Sequence, residues 1–175
     1  MRTSTGIAAL LLLMLTEAPA LRAQSSQAGE PLQIVRTAGA IKIDGNLSDE
    51  GWRGVKPITT WYEVNPGDNT PPKIRNVGRL AYDDRFLYAA FEFDDQNPEA
   101  IRAPYSDRDD SGNGFYDFGG IFVDAGASGR TAKLFVVTPR NIQSDSIIDD
   151  ASGEDMSPDF FWESATRITE RGWTL

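Results

Sequence analysis

Three groups of side chains in this sequence have the types and spacing to do chemistry: clustered carboxylates, aromatic rings beside polar loops, and an acid next to a ring. Asp107-Arg108-Asp109-Asp110-Ser111-Gly112 sets oxygens at alternate positions, like the start of a calcium loop. The twelfth position, where a bidentate Glu closes such a loop, is Phe118, and the flanks lack helical periodicity, so an EF-hand is excluded. A looser oxygen cage drawn from Asp94, Asp95, Asp107 and Asp109 on adjacent loops would suit a structural calcium ion. The plain alternative is a solvated acidic loop. A second acidic run, Asp149-Asp150 with Glu154-Asp155, reads as surface.

Pyranose rings expose C–H groups on their faces and hydroxyls at their edges. A sugar site therefore needs flat exposed aromatics flanked by Asp, Asn, Arg or Gln. Trp61-Tyr62, just before the loop NPGDNTPP, fits this best, followed by Tyr105 and Phe115-Tyr116, then Trp162 beside the second acidic run. In a strand, Trp61 and Tyr62 would point to opposite faces, one inward and one to solvent. For Trp52, Trp162 and Trp173 the competing reading is core, where aromatics usually sit.

The absences narrow the chemistry further. The 175 residues contain no Cys and no His, which excludes disulfides, thiolate zinc sites, cysteine nucleophiles, Ser-His-Asp triads and imidazole ligands. Catalysis would have to run on carboxylates, Lys, Tyr or a hard cation. A glycosidase needs two carboxyl groups about 5–9 Å apart, one with a raised pKa. Glu163 beside Trp162 is the nearest approach to such an acid, and Glu63 and Glu92 lie on strand-like stretches. With 17 basic and 26 acidic residues the formal charge is −9, a surface that repels phosphate backbones and so argues against nucleic acid as a partner. Gly126–Gly129 is a turn with no helix behind it, not a phosphate cradle.

These residues need elements to position them. Residues 1–23 read as a secretory signal, with Arg2 before the apolar run Ile7–Leu15 and cleavage after Ala20 or Ala23. The run is too short to span a bilayer, and export would place the chain in the periplasm or at the outer membrane. Residues 24–31 form a polar leader, and residues 32–175 have room for one domain with a core. Its anchor is VGRLAYDDRFLYAAFEFDD, residues 77–95, in which Leu87, Ala89, Phe91 and Phe93 alternate with Phe86, Tyr88, Ala90 and Glu92. Asp83-Asp84-Arg85 supplies turn chemistry, giving a hairpin of 77–82 with 86–94.

Further strands are expected over 32–37, 40–44, 59–64, 118–124, 131–138, 141–148 and 160–168, with a last one starting at Trp173. Short helical turns are expected after Ser48 as cap and at NPEAI. The last strand is expected to be left half-paired, as in a fragment of a longer protein. The pattern implies an all-β antiparallel sandwich of immunoglobulin or jelly-roll type with one or two short helical turns; a closed barrel is the alternative.

Five blocks carry a resemblance: IKIDGNLSDEGW (41–52), LAYDDRFLYAAFEFDD (80–95), DFGGIFVD (117–124), AKLFVVTPRN (132–141) and FWESATRITERGWTL (161–175). In this order they resemble the carbohydrate-binding modules of family 9, specifically the family-9-like domain that begins many predicted outer-membrane proteins. The resemblance implies a β-sandwich that binds an oligo- or polysaccharide without cleaving it, often with structural calcium, and a C-terminal membrane β-barrel in longer relatives. The matching blocks are scaffold, and the two Trp rings that clamp sugar in binding members are not among them. Three functions are therefore weighed: a non-catalytic sugar-binding domain, an accessory domain of an outer-membrane barrel without a sugar site, and a glycoside hydrolase or a module associated with one.

Overall fold

The period-two pattern at 77–94 folds as its alternation dictates. The structure, a computed structural model, describes residues 31–65, 67, 69–110 and 116–175. The expected signal, most of the polar leader, Ser111, Gly112 and Phe115 lie outside the described residues. All the elements fall in the compact unit Gln33–Leu175. They are β1 (Val35–Arg36), β2 (Asn76–Tyr82), β3 (Leu87–Asp94), β4 (Gly119–Val123), β5 (Thr131–Val137), β6 (Gln143–Asp149), β7 (Gly153–Asp155), β8 (Arg167–Thr169) and β9 (Gly172–Thr174), with 3₁₀ turns at Glu50–Trp52 and Pro98–Ala100. The chain is an all-β sandwich of a five-stranded sheet, ordered β1-β2-β3-β9-β8, and a four-stranded sheet, ordered β4-β5-β6-β7. Only β1 runs parallel to its neighbour.

β2 and β3 pair from Tyr82↔Leu87 to Asn76↔Phe93. Their turn is closed by Asp83, whose Oδ1 accepts from the backbone N–H of Arg85 (2.7 Å) and Phe86 (2.8 Å) while Oδ2 accepts from the Tyr88 hydroxyl (2.9 Å). These bonds stabilise the charged carboxylate, the Arg85 amide most of all, and hold its pKa below the ordinary Asp value.

Strand pleating gives the five-stranded sheet two different faces. On one, Ala81 and Ala90 are fully buried under Trp52 and Val55, with Ile41, Leu47 and Tyr88 packed around them. Small residues on the strands make room for the large ring lying over them. On the other face the rings form a row: Trp61 against Phe91 (6.3 Å between centroids), Phe91 on Phe93 (5.6 Å) and Phe93 on Trp173 (4.4 Å). The four-stranded sheet meets this row at Gly119, where an added Cβ would lie 2.4 Å from the Phe93 ring. Gly119 is therefore the point of close approach between the two layers.

Several local expectations are corrected. Residues 40–44 do not form a strand: they lie across a sheet face rather than along an edge, so Gly51 N–H to Ala40 O (3.2 Å) stands in for a ladder. Ser48 does not cap the first 3₁₀ turn; Asp49 occupies that position without a side-chain cap bond. Residues 59–64 do not form a strand: they make only the isolated bridge Glu63↔Thr70, and Ile58 just before them bridges to Gly78. The second acidic run lies at the surface as expected, and it also contains the short exposed strand β7, whose Glu154 accepts from the buried Ser146 hydroxyl (2.7 Å). Residues 160–166 are irregular, because their backbone groups bond to side chains rather than to a neighbouring strand.

The last strand, expected to be half-paired, is paired on both sides. β9 lies between β3 and β8, and Leu175 exchanges backbone bonds with Phe91 (2.8 and 3.0 Å). The Asp44-Gly45 turn docks there too: Arg167 Nε donates to Asp44 O (2.8 Å) and the Thr174 hydroxyl to Gly45 O (2.7 Å). Gly45 has φ +74°, and a Cβ on it would lie 2.9 Å from the Thr166 carbonyl carbon, so both conformation and space require glycine.

Candidate functional site

The four-stranded sheet buries polar groups at its centre. Asp145 and Ser146 on β6 and Thr138 after β5 are all buried, and the Asp145 side chain is wholly out of solvent. A buried carboxylate survives folding only if its oxygens are fully engaged. Here Oδ1 accepts from Arg108 Nη2 and from Trp162 Nε1 (2.9 Å), and Oδ2 accepts from the backbone N–H of Phe160 (2.8 Å). Arg108 also donates to Gln143 Oε1, Asp159 Oδ1 (2.9 Å) and Phe160 O (3.2 Å), and its Nε faces Asp109 at 3.3 Å. Asp109 in turn accepts from the backbone N–H of Asp145 (3.1 Å). One buried carboxylate thus fixes two irregular segments, 105–110 and 159–164, onto β6.

Between those segments and the β5–β6 turn lies an open groove of about 520 Å³, lined by Ile43, Ser106, Arg108, Asn141, Gln143 and Glu163 among others. A chain of hydrogen bonds runs through its wall. Gln143 Nε2 donates to Ser164 Oγ (2.9 Å) and to Trp162 O (3.3 Å), and Ser164 Oγ donates to Asn141 Oδ1 (2.8 Å). Arg108, Gln143 and Ser164 are therefore committed to the wall. Among the described residues the side chains of Ser106 and Glu163 have no hydrogen-bond partner, and Asn141 keeps its amide N–H₂ uncommitted. A free hydroxyl, a free carboxylate and a free amide on a rigid wall can donate to and accept from a hydroxylated ligand.

Aromatics stand beside the groove. Tyr105, next to Ser106, is 83% exposed and carries the Arg140 guanidinium over its ring at 4.3 Å. Phe161, next to Trp162, is 96% exposed. Neither Arg140 nor Phe161 was singled out from sequence. The signal for Arg140 was its place in a strand-end loop beside Asn141, whereas Phe161 looked like any strand aromatic.

The expected sugar-binding residues fall in different places. Trp61 is half-buried in the ring row and its Nε1 donates to Ile58 O (3.2 Å), whereas Tyr62 points outward at 58% exposure. Trp162 is also half-buried, its ring packed edge-on against Phe135 (5.3 Å) and its N–H spent on Asp145. Tyr116 is half-buried and lies 6.0 Å from Phe118, edge to face. Of the five, Tyr105 and Trp162 adjoin groove-lining residues, Ser106 and Glu163, and of these two only Tyr105 leaves its ring largely exposed.

The expected metal ligands are divided between two places. Asp94 is bound by Arg171 (3.1 Å) and faces Arg75 (3.5 Å), and Asp95 closes a turn on the Asn97 amide (2.7 Å); both line a second depression with Lys73 and Glu170. Asp107 and Asp109 belong to the loop held on β6. Among the described residues no three acid groups are gathered as a metal-ligand set.

No family model, curated protein or solved structure matches the chain.

Proposed function

We propose that this domain binds carbohydrate without cleaving it, and that the sugar lies in the groove between residues 105–108, the β5–β6 turn and residues 163–164. The observation that carries this reading is the combination of uncommitted polar groups on Ser106, Asn141 and Glu163 with a wall pinned by Asp145. A rigid wall avoids the entropy cost of ordering the contacts on binding. The exposed Tyr105 ring gives a flat apolar surface for the C–H face of a pyranose. The resemblance of five sequence blocks to family 9 modules supports the same reading, as does an export signal that would bring the chain to envelope glycans.

Asp145 is the only buried acid among the described residues, and Arg108, Trp162 and Phe160 occupy its oxygens. A glycosidase acid requires instead a proton held in an apolar setting and delivered to the ligand. Glu163 serves in this reading as an acceptor for sugar hydroxyls. A broad glycan array followed by calorimetry tests the proposal: the folded protein binds at least one glycan, and Tyr105→Ala or Asn141→Ala weakens binding by about tenfold. An array with no binder to folded protein sinks the reading. Turnover of a chromogenic glycoside that vanishes in Glu163→Gln would replace it with a hydrolase.

A second reading, an accessory domain docked on a membrane barrel, draws on two exposed rings, Phe122 on the outer strand β4 and Phe118 just before it. It predicts that Phe122→Asp leaves glycan binding unchanged but releases the domain from its partner in membrane fractions.

A further inference from the structure

Among the described residues, most arginines spend their charge on a carboxylate: Arg36 on Asp84, Arg79 on Glu92, Arg108 on Asp145 and Arg171 on Asp94, for example. Arg140 pairs with no carboxylate among the described residues. Its Nε donates to Ala103 O, its Nη1 donates to the Tyr105 hydroxyl (3.0 Å), and its plane lies 4.3 Å over the Tyr105 ring. Arg85 and Arg130 also lack an ion-pair partner, but Arg85 sits in the β2–β3 turn beside Asp83 and Arg130 in the β4–β5 turn. Arg140 alone of the three adjoins a groove residue, Asn141, while its stacking partner adjoins another, Ser106.

We propose that the groove selects a carboxylated sugar, a uronic acid, with Arg140 as the partner of the carboxylate. This inference rests on the carbohydrate reading above. A guanidinium has five N–H groups in a fixed fork. Two are used to hold Arg140 in place, which leaves one N–H on Nη1 and two on Nη2. These free donors can take up the oxygens of a carboxylate, and the bond is charge-assisted. Holding the fork by Ala103 and Tyr105 removes most of the side-chain entropy that an ordinary surface arginine loses on binding. The ring under the guanidinium keeps its opposite face for the apolar side of the sugar.

Glu163, on the opposing segment, gives the groove a sense of direction. It accepts hydroxyls and repels a second carboxylate, so the acidic end of the ligand points to Arg140 and the neutral end to Glu163. The formal charge of −9 disfavours a dense polyanion. The ligand class is therefore a glycan with isolated or terminal uronic acids rather than a continuous polyuronide.

The test uses matched pairs that differ only at C6, methyl glucuronide with methyl glucoside and methyl galacturonide with methyl galactoside, titrated by calorimetry and printed as longer glycans on an array. For at least one pair the acid is expected to bind about tenfold more tightly or better. Arg140→Gln erases the difference between the members of the pair; Arg140→Lys, which keeps charge but not the fork, restores part of it. Equal binding within every pair, binding only to unrelated neutral glycans, or a preference that survives Arg140→Gln overturns the inference and leaves the carbohydrate reading standing. Failure of the folded protein to bind any glycan removes both.

Discussion

The two sheets are held by opposite means. In the five-stranded sheet the centre is apolar, with Ala81 and Ala90 under Trp52 on one face and the row Trp61–Phe91–Phe93–Trp173 on the other. In the four-stranded sheet the centre is a carboxylate, Asp145, tied to Arg108, Trp162 and Phe160. Apolar contacts have no direction and tolerate small shifts, whereas a buried hydrogen-bonded ion requires each partner in position. The groove lies over the second kind of centre. The difference indicates that the apolar sheet supplies stability and the polar hub supplies geometry.

The sharpest way to break this contrast is at the two centres. Asp145→Ala strands Arg108 and two N–H donors and should cost about 3–5 kcal/mol in urea unfolding, and Trp173→Ala should cost a similar 3–5 kcal/mol through its cavity. Asp145→Asn then separates charge from shape: a cost of about 1.5–3 kcal/mol is expected from weakened charge-assisted bonds. No cost in the Asn variant would mean that the hub acts by packing, as the other sheet does. Next in size, Gly119→Ala drives a methyl into the Phe93 ring and should lower stability by about 1–3 kcal/mol, read as a fall in the urea midpoint. An unchanged midpoint would show that the layers are not tightly apposed there.

Acid pH probes the turns that frame both sheets. Asp44, Asp83, Asp124, Asp149 and Asp155 are all held below the ordinary carboxylate range, Asp124 mainly by the Gly129 amide and Asp149 mainly by the Thr131 hydroxyl. A lowered folded-state pKa means a contribution fully present above the unfolded value of about 3.9. It is lost as pH falls through the folded value. Melting temperature should therefore drop below about pH 4, and Asp83→Asn combined with Asp124→Asn should shallow the drop; an identical acid limb in the double variant would contradict this. The smallest effect is expected at Tyr62→Ala, within about 0.5 kcal/mol in stability and with glycan affinity unchanged. Tyr105→Ala should be equally mild in melting yet weaken glycan binding about tenfold.

The apolar sheet was legible in the sequence because period two is a local signal, and residues 86–93 displayed it without interruption. Turn chemistry was legible for the same reason, since an aspartate that bonds the amide two residues on needs nothing distant. Strands 40–44 and 59–64 failed because a short β-branched or apolar run does not reveal whether it lies at a sheet edge or across a face. The candidate site was mostly hidden. Its hub joins Arg108 to Asp145 and Trp162, contacts between distant parts of the chain for which no spacing rule exists. Asp94 and Asp95 were read as metal ligands from their place at a strand end; in the structure Asp94 faces Arg75 and Arg171, a pairing between distant parts of the chain that no local pattern announces. Tyr105 was identified by its type and loop setting, and Arg140 becomes informative only once it is known to lack an acid.

The insertion of β9 between β3 and β8 has a consequence for how the protein is made. Synthesis from the N-terminal side delivers β2 and β3 early, but β3 finds its second neighbour only when residues about 80 positions later emerge. Until then one flank of an aromatic-rich hairpin stays open, a condition that slows folding and invites mispairing between molecules. Yield should therefore depend on how fast the final hairpin arrives, and a holdase that shields Leu87–Asp94 during synthesis should raise it.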